Sequence, residues 1–584
     1  MKIRLPSLRR IFYSLIFFTI TLLVILFYIT QILDPIRLLP IIKKEASRYG
    51  LQLEMGDLNW HFYPWFFLEA TDLKLISEYG ELKIDNVQGE LSLKSLINDV
   101  LKFNSIIIKN PIINLKSKAF VETKKFSFIN TFTIITQTMI GEVRIHNARV
   151  NGLPKGYTLS QIDIHGSELS AEKASSLKLI GNLSNHENAI PVSFKTKFSI
   201  NKNLKSINFS NLIMGSNNFG INFHGNIKFD IYGNILGYAS FDIPEFDLRE
   251  WIESAGFDSV LPQNRQTFRH LLGKGNIIFK RKTGSITGVT MALDQTEIQG
   301  RIDFNLDPLI PQVQLQIATI DLSKYEIWSS QKNNPNRTKF NFPFLPGIYI
   351  ISADELTVKQ HKLKEVSADI SIASDKKIKS KLLGSIEQGY FELNGLHTLK
   401  TQSYQLNGSM FKVPATSVLS NAKEGLVSGN FNLKFFKTDS KTFLASAKGT
   451  ARFILNDIEL NYLEIETKIC SLYKQPLIRK KNIFNSSTIR LEVELRDGLS
   501  EIKSLETTLS DLEIRGNGIL EIESGILTLN INILIPNNSK SFRCNFPEKL
   551  KRLSIPMLCR GQLKTGDKLN CQLKLSGINK YLSN

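Results

Sequence analysis

The chain has 584 residues, of which 42% are hydrophobic and 22% are charged, and its formal net charge is +19. One compact hydrophobic core does not accommodate this length, so the chain either contains several domains or extends in one direction, and its composition excludes wholesale disorder. The charge indicates either a lysine-rich solvated surface or attraction to anionic lipid head groups, and no recognition motif favours a nucleic-acid partner.

A basic N-terminus precedes the longest apolar run of the chain. Residues 1–10 read MKIRLPSLRR, and residues 11–33 carry no charge. As a helix, this run would span about 34 Å, which is enough to cross a bilayer. A cleaved signal peptide has a shorter apolar region and a small-residue cleavage site. We therefore expect a retained single-pass anchor with a cytoplasmic N-terminus. The rest of the chain would lie in a bacterial periplasm or, in a eukaryote, in a lumen or outside the cell.

A helix is predicted over 35–49, ending at Gly50. The aromatic stretch WHFYPWFF follows at 60–67. Its five proposed cluster members are Trp60, Phe62, Trp65, Phe66 and Phe67. They are expected to form either the membrane-proximal end of a groove, with amphipathic rings at the head-group level, or a small core that packs the helix onto the first strands.

From about residue 73 onward, apolar and polar residues alternate. The clearest examples are INFHGNIKFDI at 221–231, IRLEVELR at 489–496 and LTLNINILI at 527–535. This period of two predicts strands with one wet face and one apolar face, as in an antiparallel or meandering sheet. A Gly-Asn-apolar phrase recurs at irregular spacing and indicates a reused strand-turn unit; its glycines are Gly181, Gly225, Gly275 and Gly429.

Few helices are predicted to cover these strands. Two short ones are expected between 247 and 273, another near 460–474 and a last one near 546–553. The apolar strand faces must therefore pack on another sheet, close into a filled barrel, or curl into an open groove whose lining meets an apolar ligand.

The fold class that follows is mainly β, with an N-terminal transmembrane helix and then an elongated, curled, groove-like sheet with a few short helices. The expected regions are a basic cytoplasmic N-terminus (1–10), the anchor (11–33), an N-terminal β region (34–240), a short helical segment (241–275), a middle β region (276–440) and a C-terminal β region (441–584). The residues predicted to face lipid are Phe223, Ile227, Phe229, Ile231, Leu491, Val493, Leu495, Leu529, Ile531 and Ile533.

The four cysteines are Cys470, Cys544, Cys559 and Cys571, and none forms a C-x-x-C motif that would indicate a metal or redox site. In an oxidising compartment, Cys544 is expected to pair with Cys559 or with Cys571.

No sequence motif concentrates an acid, a base and a nucleophile. The eight histidines show no metal-ligand spacing, and SSLK at 175–178 lacks the partner motifs of penicillin-recognising enzymes. We therefore assign no catalytic, cofactor-binding or metal-binding residue and expect a protein that is not an enzyme.

The order of several phrases resembles the AsmA family. They are EASRYGLQLEMGDLNWHFYPWFFLEATDLKL (45–75), FNSIIIKNPIINLK (103–116), EFDLREWIESAG (245–256), LDQTEIQGRIDF (293–304), IATIDLSKY (317–325) and the strand series at 488–535. The resemblance implies a periplasmic protein anchored in the inner membrane of a Gram-negative bacterium and related to bridge-like lipid transfer proteins.

On this basis we expect a β-groove that binds or conducts phospholipids through their acyl chains and supports outer-membrane assembly and lipid homeostasis. Its expected partners are the inner membrane and, beyond it, outer-membrane or envelope proteins. The alternative is an envelope scaffold without enzymatic activity, whose packed sandwich recruits partners by strand addition.

Overall fold

A computed structural model describes most of the chain. The described residues are 19–21, 39–40, 43–44, 47, 51–61, 67–77, 80–92, 102–116, 139–153, 156–170, 173–184, 189–201, 205–230, 234–256, 261–306, 308–325, 345–418, 424–436, 446–458, 470, 486–509, 512–535, 551, 553–562 and 570–574.

The described residues are mainly in strands and fall into two units. Unit 1 consists of Met1–Leu261 and Phe268–Thr287, and unit 2 of Pro262–Thr267 and Gly288–Asn584. The strands of unit 1 are β1 (Gln52–Glu54), β2 (Leu58–His61), β3 (Phe67–Ile76), β4 (Gly80–Leu91), β5 (Lys102–Lys109), β6 (Ile112–Leu115), β7 (Met139–Asn151), β8 (Thr158–Leu169), β9 (Ala174–Ser184), β10 (Ala189–Asn201), β11 (Ser206–Ser216), β12 (Phe219–Phe229), β13 (Ile235–Phe246) and β14 (Leu271–Arg281).

Strand β15 (Thr283–Leu293) lies at the division between the units. The strands of unit 2 are β16 (Thr296–Leu306), β17 (Leu309–Asp321), β18 (Gly347–Val358), β19 (His361–Ile372), β20 (Lys377–Ile386), β21 (Gly389–Thr398), β22 (Ser403–Pro414), β23 (Leu426–Phe436), β24 (Lys448–Ile458), β25 (Ser486–Arg496), β26 (Leu499–Leu509), β27 (Leu512–Glu521), β28 (Ile526–Leu534), β29 (Ser554–Gln562) and β30 (Asn570–Leu573).

Unit 1 is a meandering, mostly antiparallel sheet. Strands β1 and β2 both pair with β3, and β3 pairs with β4. Strands β5 and β6 follow one another along β4 and then lie parallel to β7. From β7 to β14, each strand pairs antiparallel with the next. The predicted antiparallel meander is therefore confirmed for this unit, apart from one parallel step.

Unit 2 repeats this plan. Strands β17 and β18 are parallel, whereas β16 pairs antiparallel with β17. From β18 to β30, each strand pairs antiparallel with its successor. The largest buried cluster lies at the C-terminal end of this series, where Leu512, Ile533 and Ile535 are completely buried.

The sheets curl because β-bulges interrupt their ladders. In unit 1, the register shifts between Ile145 and Ala148 of β7, where Asn147 adopts a φ of 53°. In unit 2, the register shifts between Met410 and Val413 of β22, where Lys412 adopts a φ of 50°. An extra residue in this conformation bends the strand and increases its right-handed twist, so repeated bulges produce a curved sheet.

Helix α1 (Leu248–Ser254) is the first of the two short helices predicted between 247 and 273. Asp247 caps it by accepting a hydrogen bond from the backbone nitrogen of Glu250 at 2.9 Å. The second predicted helix is wrong: residues 261–270 are irregular, and β14 begins at Leu271. Phe268 has a φ of 61°, which is incompatible with a right-handed helix.

Other helical residues are few in the described part. Helix α2 is Ala415–Val418, and a short 3-10 helix covers Leu322–Tyr325. The described residues of the predicted 35–49 helix are helical, as are residues 19–21 of the predicted anchor. The helix predicted near 460–474 lies outside the described residues except for residue 470, which is helical. The remainder of the anchor and the helix predicted at 546–553, except 551 and 553, also lie outside them. Within the described part, we find no helix of the length and apolarity that crossing a membrane requires.

The disulfide in the last strands differs from the expected one. Cys559 of β29 is bonded to Cys571 of β30, so the expected pairing of Cys544 with Cys559 or with Cys571 is wrong. The physical reason is the register: the two bonded residues are direct cross-strand partners, with their Cα atoms 3.9 Å apart. Cys470 is also disulfide-bonded, and Cys544 lies outside the described residues.

Candidate functional site

Apolar side chains share one face of the unit 1 sheet across successive strands. Residues directly opposite one another in an antiparallel ladder project to the same side. One such row contains Ile164, Leu179, Phe194, Met214 and Ile221, from β8 to β12. A second row joins Leu212, Phe223 and Phe241, and the last two rings have their centroids 6.3 Å apart. We call this surface the apolar face.

Protein covers the apolar face only in part. The side chains of Phe194, Phe223 and Phe241 are half-buried, and Met214 is 47% exposed. By comparison, Ile533 in the unit 2 core is 0% exposed. An extended apolar surface that stays partly open to water is the kind of surface that a hydrophobic ligand covers.

The opposite side of the same strands is polar. Asn208 precedes Phe209 in β11, and His224 follows Phe223 in β12; both polar side chains are exposed. The ring nitrogen Nδ1 of His224 lies 2.5 Å from the backbone oxygen of Ser210. The alternation read from the sequence therefore corresponds to two chemically distinct faces, as the period of two predicts.

Two of the predicted lipid-facing residues lie on the apolar face. Phe223 and Ile227 are both half-buried there. The side chain of Phe229 and the whole of Ile231 lie outside the described residues. Direct lipid contact at these positions stays a prediction.

The predicted lipid-facing residues of unit 2 belong to its C-terminal core or pack against it. They are Leu491, Val493, Leu495, Leu529, Ile531 and Ile533. Ile533 is completely buried and Ile531 is 3% exposed, so protein atoms already cover them. Apolar and polar residues alternate in their strands as clearly as in β12, but other side chains of the protein cover the apolar face of these strands.

The aromatic segment at 60–67 is described only at its two ends. Trp60 lies opposite Leu68, and the ring of His61 stacks on that of Phe67 with the centroids 4.7 Å apart. The other three predicted members, Phe62, Trp65 and Phe66, lie outside the described residues. Both roles expected for this cluster stay predictions.

A polar network supports this end of the sheet. Glu69 lies 2.7 Å from the Nε2 atom of His61 and accepts hydrogen bonds from Gln88 and Asn86. The hydrogen bonds from these two amides lower the pKa of Glu69, although partial burial opposes the shift, and His61 lowers this pKa further.

Glycines on the apolar side accommodate aromatic rings from neighbouring strands. A Cβ atom at Gly275 would lie 2.7 Å from the ring of Phe241, and one at Gly408 would lie 2.3 Å from the ring of Phe431. This packing gives Gly275, one of the recurrent Gly-Asn glycines, a physical role: the missing side chain leaves room for the ring opposite. The sequence showed the repeated phrase but not the ring that it accommodates.

Two shallow cavities open on the polar sides of the sheets. One, of about 420 Å³, lies across β18–β22 and is lined by residues that include Lys379, Lys381 and Asn407. The other, of about 590 Å³, lies across β7–β11 near Asn182 and Ser216. The first combines these polar groups with Ile348, Ile370 and Leu396 in its lining.

Among the described residues, no group of three or more His, Cys, Asp or Glu side chains is placed to hold a metal ion. The SSLK sequence lies within β9, where Ser175 and Lys178 are three residues apart and therefore project to opposite faces. Ser175 donates a hydrogen bond to the backbone oxygen of Glu168 at 2.7 Å.

Comparison with known proteins gives no relative: the chain matches no family model, no curated protein and no solved structure.

Proposed function

We propose that the apolar face of unit 1 binds the acyl chains of phospholipids, and that the protein holds or conducts lipid from a position at the inner membrane, in support of outer-membrane assembly and lipid homeostasis. The AsmA resemblance implies the same role. The observation that carries the proposal is the continuous row from Ile164 to Ile221, which is apolar across five strands yet only partly covered.

The physical basis is the transfer of hydrocarbon from water to an apolar surface. Each buried CH₂ group contributes about 0.8 kcal/mol, so an acyl chain lying along several strands gains enough to offset its loss of freedom. The rings of Phe194 and Phe223 supply broad, rigid contact area. The polar head group would remain in water beyond the edge of the apolar face, and no covalent step is required.

A second candidate function is supported by the C-terminal end of unit 2. There the inward side chains fill a conventional core, and the bond between Cys559 and Cys571 joins the last two described strands. A packed and cross-linked end of this kind suits an envelope scaffold that recruits partners by strand addition. The two functions differ in whether the apolar face of unit 1 carries lipid.

Lipid extracted from the purified protein tests the proposal. The full chain is purified in mild detergent, and phospholipid is quantified by mass spectrometry for the native protein, for Phe223→Lys and for the control Asn222→Lys. Phe223→Lys places a charge on the apolar face, whereas Asn222→Lys places it on the polar face of the same strand. We expect phospholipid to be lost only from Phe223→Lys, with circular dichroism showing both variants folded. A folded native protein without phospholipid would favour the scaffold.

A further inference from the structure

The polar side of β9–β14 has a strong excess of positive charge. Its exposed lysines are Lys178, Lys195, Lys197, Lys228, Lys274 and Lys280. The same six strands contain only two carboxylates, Asp242 and Glu245. Glu245 lies at a bulge and contacts His270 at 2.7 Å. We call the surface formed by the six lysines the basic face.

The register shows that the basic face is one continuous surface. Lys178 lies directly opposite Lys195, and Lys195 and Lys197 are two residues apart in one strand. Across the sheet, the row that contains Lys195 continues to Asp242, which lies opposite Lys274. From β9 to β14, the lysines extend over about 24 Å at ~4.8 Å per strand.

Directly opposed like charges are unfavourable in a sheet. No ion pair is seen for Lys178 or Lys195 within the described residues. Other exposed lysines of the chain do have partners: Lys377 pairs with Asp375 at 2.8 Å, and Lys448 pairs with Asp497 at 3.1 Å. A negatively charged partner would relieve the repulsion on the basic face, so the arrangement indicates an interaction surface rather than a solvated face alone.

Apolar groups lie among the lysines. Tyr238 is 65% exposed and Ile180 is 42% exposed, and both project from the same side as the basic residues. A free phosphate would engage only one or two of the lysines. A bilayer presents an array of phosphates together with an apolar layer beneath, where an amphipathic tyrosine ring is favourable.

We propose that the basic face docks on an anionic phospholipid surface. The lysines would lie against the head-group phosphates, and Tyr238 and Ile180 would reach the boundary with the acyl chains. This contact is separate from the apolar face, which lies on the other side of the same strands. Docking through the basic face would therefore occur whether or not the apolar face carries lipid.

Lysine acetylation tests the docking residue by residue. The full chain is mixed with vesicles of phosphatidylcholine alone, or with vesicles in which about a third of the lipid is phosphatidylglycerol. It is then treated with an acetylating ester, and each lysine is quantified by peptide mass spectrometry. We expect Lys178, Lys195 and Lys197 to react roughly fivefold more slowly with the anionic vesicles only, and the protection to disappear at about 0.5 M salt. Lys377 and Lys448 should react at the same rate with both types of vesicle.

Charge reversal gives a second readout. Lys178→Glu/Lys195→Glu should reduce the protection of Lys197, whereas Lys377→Glu/Lys448→Glu, which changes the net charge equally, should not. Equal reactivity of the basic-face lysines in both vesicle types would overturn the proposal. Protection by soluble polyglutamate but not by anionic vesicles would also overturn it, and would identify an acidic protein as the partner.

Discussion

The ring of Phe431 in β23 occupies the space that a side chain at Gly408 in β22 would need. The two residues are direct cross-strand partners, and a Cβ atom at 408 would lie 2.3 Å from the ring. The pair shows how the unit 2 sheet combines large rings with absent side chains on its apolar side.

Gly408→Ala is expected to destabilise unit 2 by about 1–3 kcal/mol, because the added methyl group overpacks the site against Phe431 and Leu393. Chemical denaturation measures the change. The double variant Gly408→Ala/Phe431→Leu provides the control, since the smaller side chain makes room for the methyl group. The double variant should lose less free energy of unfolding than the sum of the losses of Gly408→Ala and Phe431→Leu. Strictly additive losses would contradict the contact.

The bond between Cys559 and Cys571 is expected to stabilise the C-terminal core. The two cysteines are 12 residues apart in sequence, and both are buried in the unit 2 cluster. Cys559→Ser/Cys571→Ser should lower the free energy of unfolding of that core by about 2–4 kcal/mol, because the bond restricts the unfolded chain. Denaturation under non-reducing conditions measures the loss, and peptide mapping of the native protein verifies the pairing. A map that joins Cys544 to Cys559 would contradict the structure.

The stability contributed by Glu69 depends on pH. Its pKa is lowered below the ordinary value of 4.5 by the amides of Gln88 and Asn86 and by His61. A carboxyl group whose pKa is lower in the folded state stabilises the fold at pH values above its ordinary pKa. This contribution is lost as the pH falls through the lowered value.

Thermal unfolding of the native protein and of Glu69→Gln, from about pH 6 to about pH 3, checks this expectation. The native protein should be more stable at the upper end, and the difference should shrink as the pH falls. A difference that stays constant, or that grows toward low pH, would show that the charge of Glu69 does not stabilise the folded state.

Local patterns in the sequence were sufficient to predict the strands and the first short helix. The alternation in INFHGNIKF corresponds to β12, and that in IRLEVELR lies within β25. The first of the two helices expected between 247 and 273 corresponds to α1, and its cap at Asp247 is seen only in the structure. The second helix failed because contacts distant in sequence hold its segment: Arg269 pairs with Asp247 at 2.7 Å, and the backbone oxygen of Phe268 accepts a hydrogen bond from the backbone nitrogen of Arg249.

What covers each apolar face could not be predicted from alternation. The series ending in Ile533 is as regular as the one around Phe223, yet the first is buried at 0% exposure and the second is half-buried. A period of two assigns residues to a face, but the neighbours of that face depend on segments distant in sequence. The prediction of the disulfide pairing was wrong for a related reason, since the pairing depends on the register between β29 and β30.

The central claim is that phospholipid lies on the apolar face of unit 1. Photo-crosslinking on protein purified away from membranes tests it most directly. A photoreactive phenylalanine analogue is placed at Phe209 or Phe223 and, as controls on the polar side, at Asn208 or His224. We predict that irradiation yields adducts with phospholipid acyl chains at Phe209 and Phe223 and none at the two controls. Adducts at none of the four positions, or equally at all four, would contradict the claim.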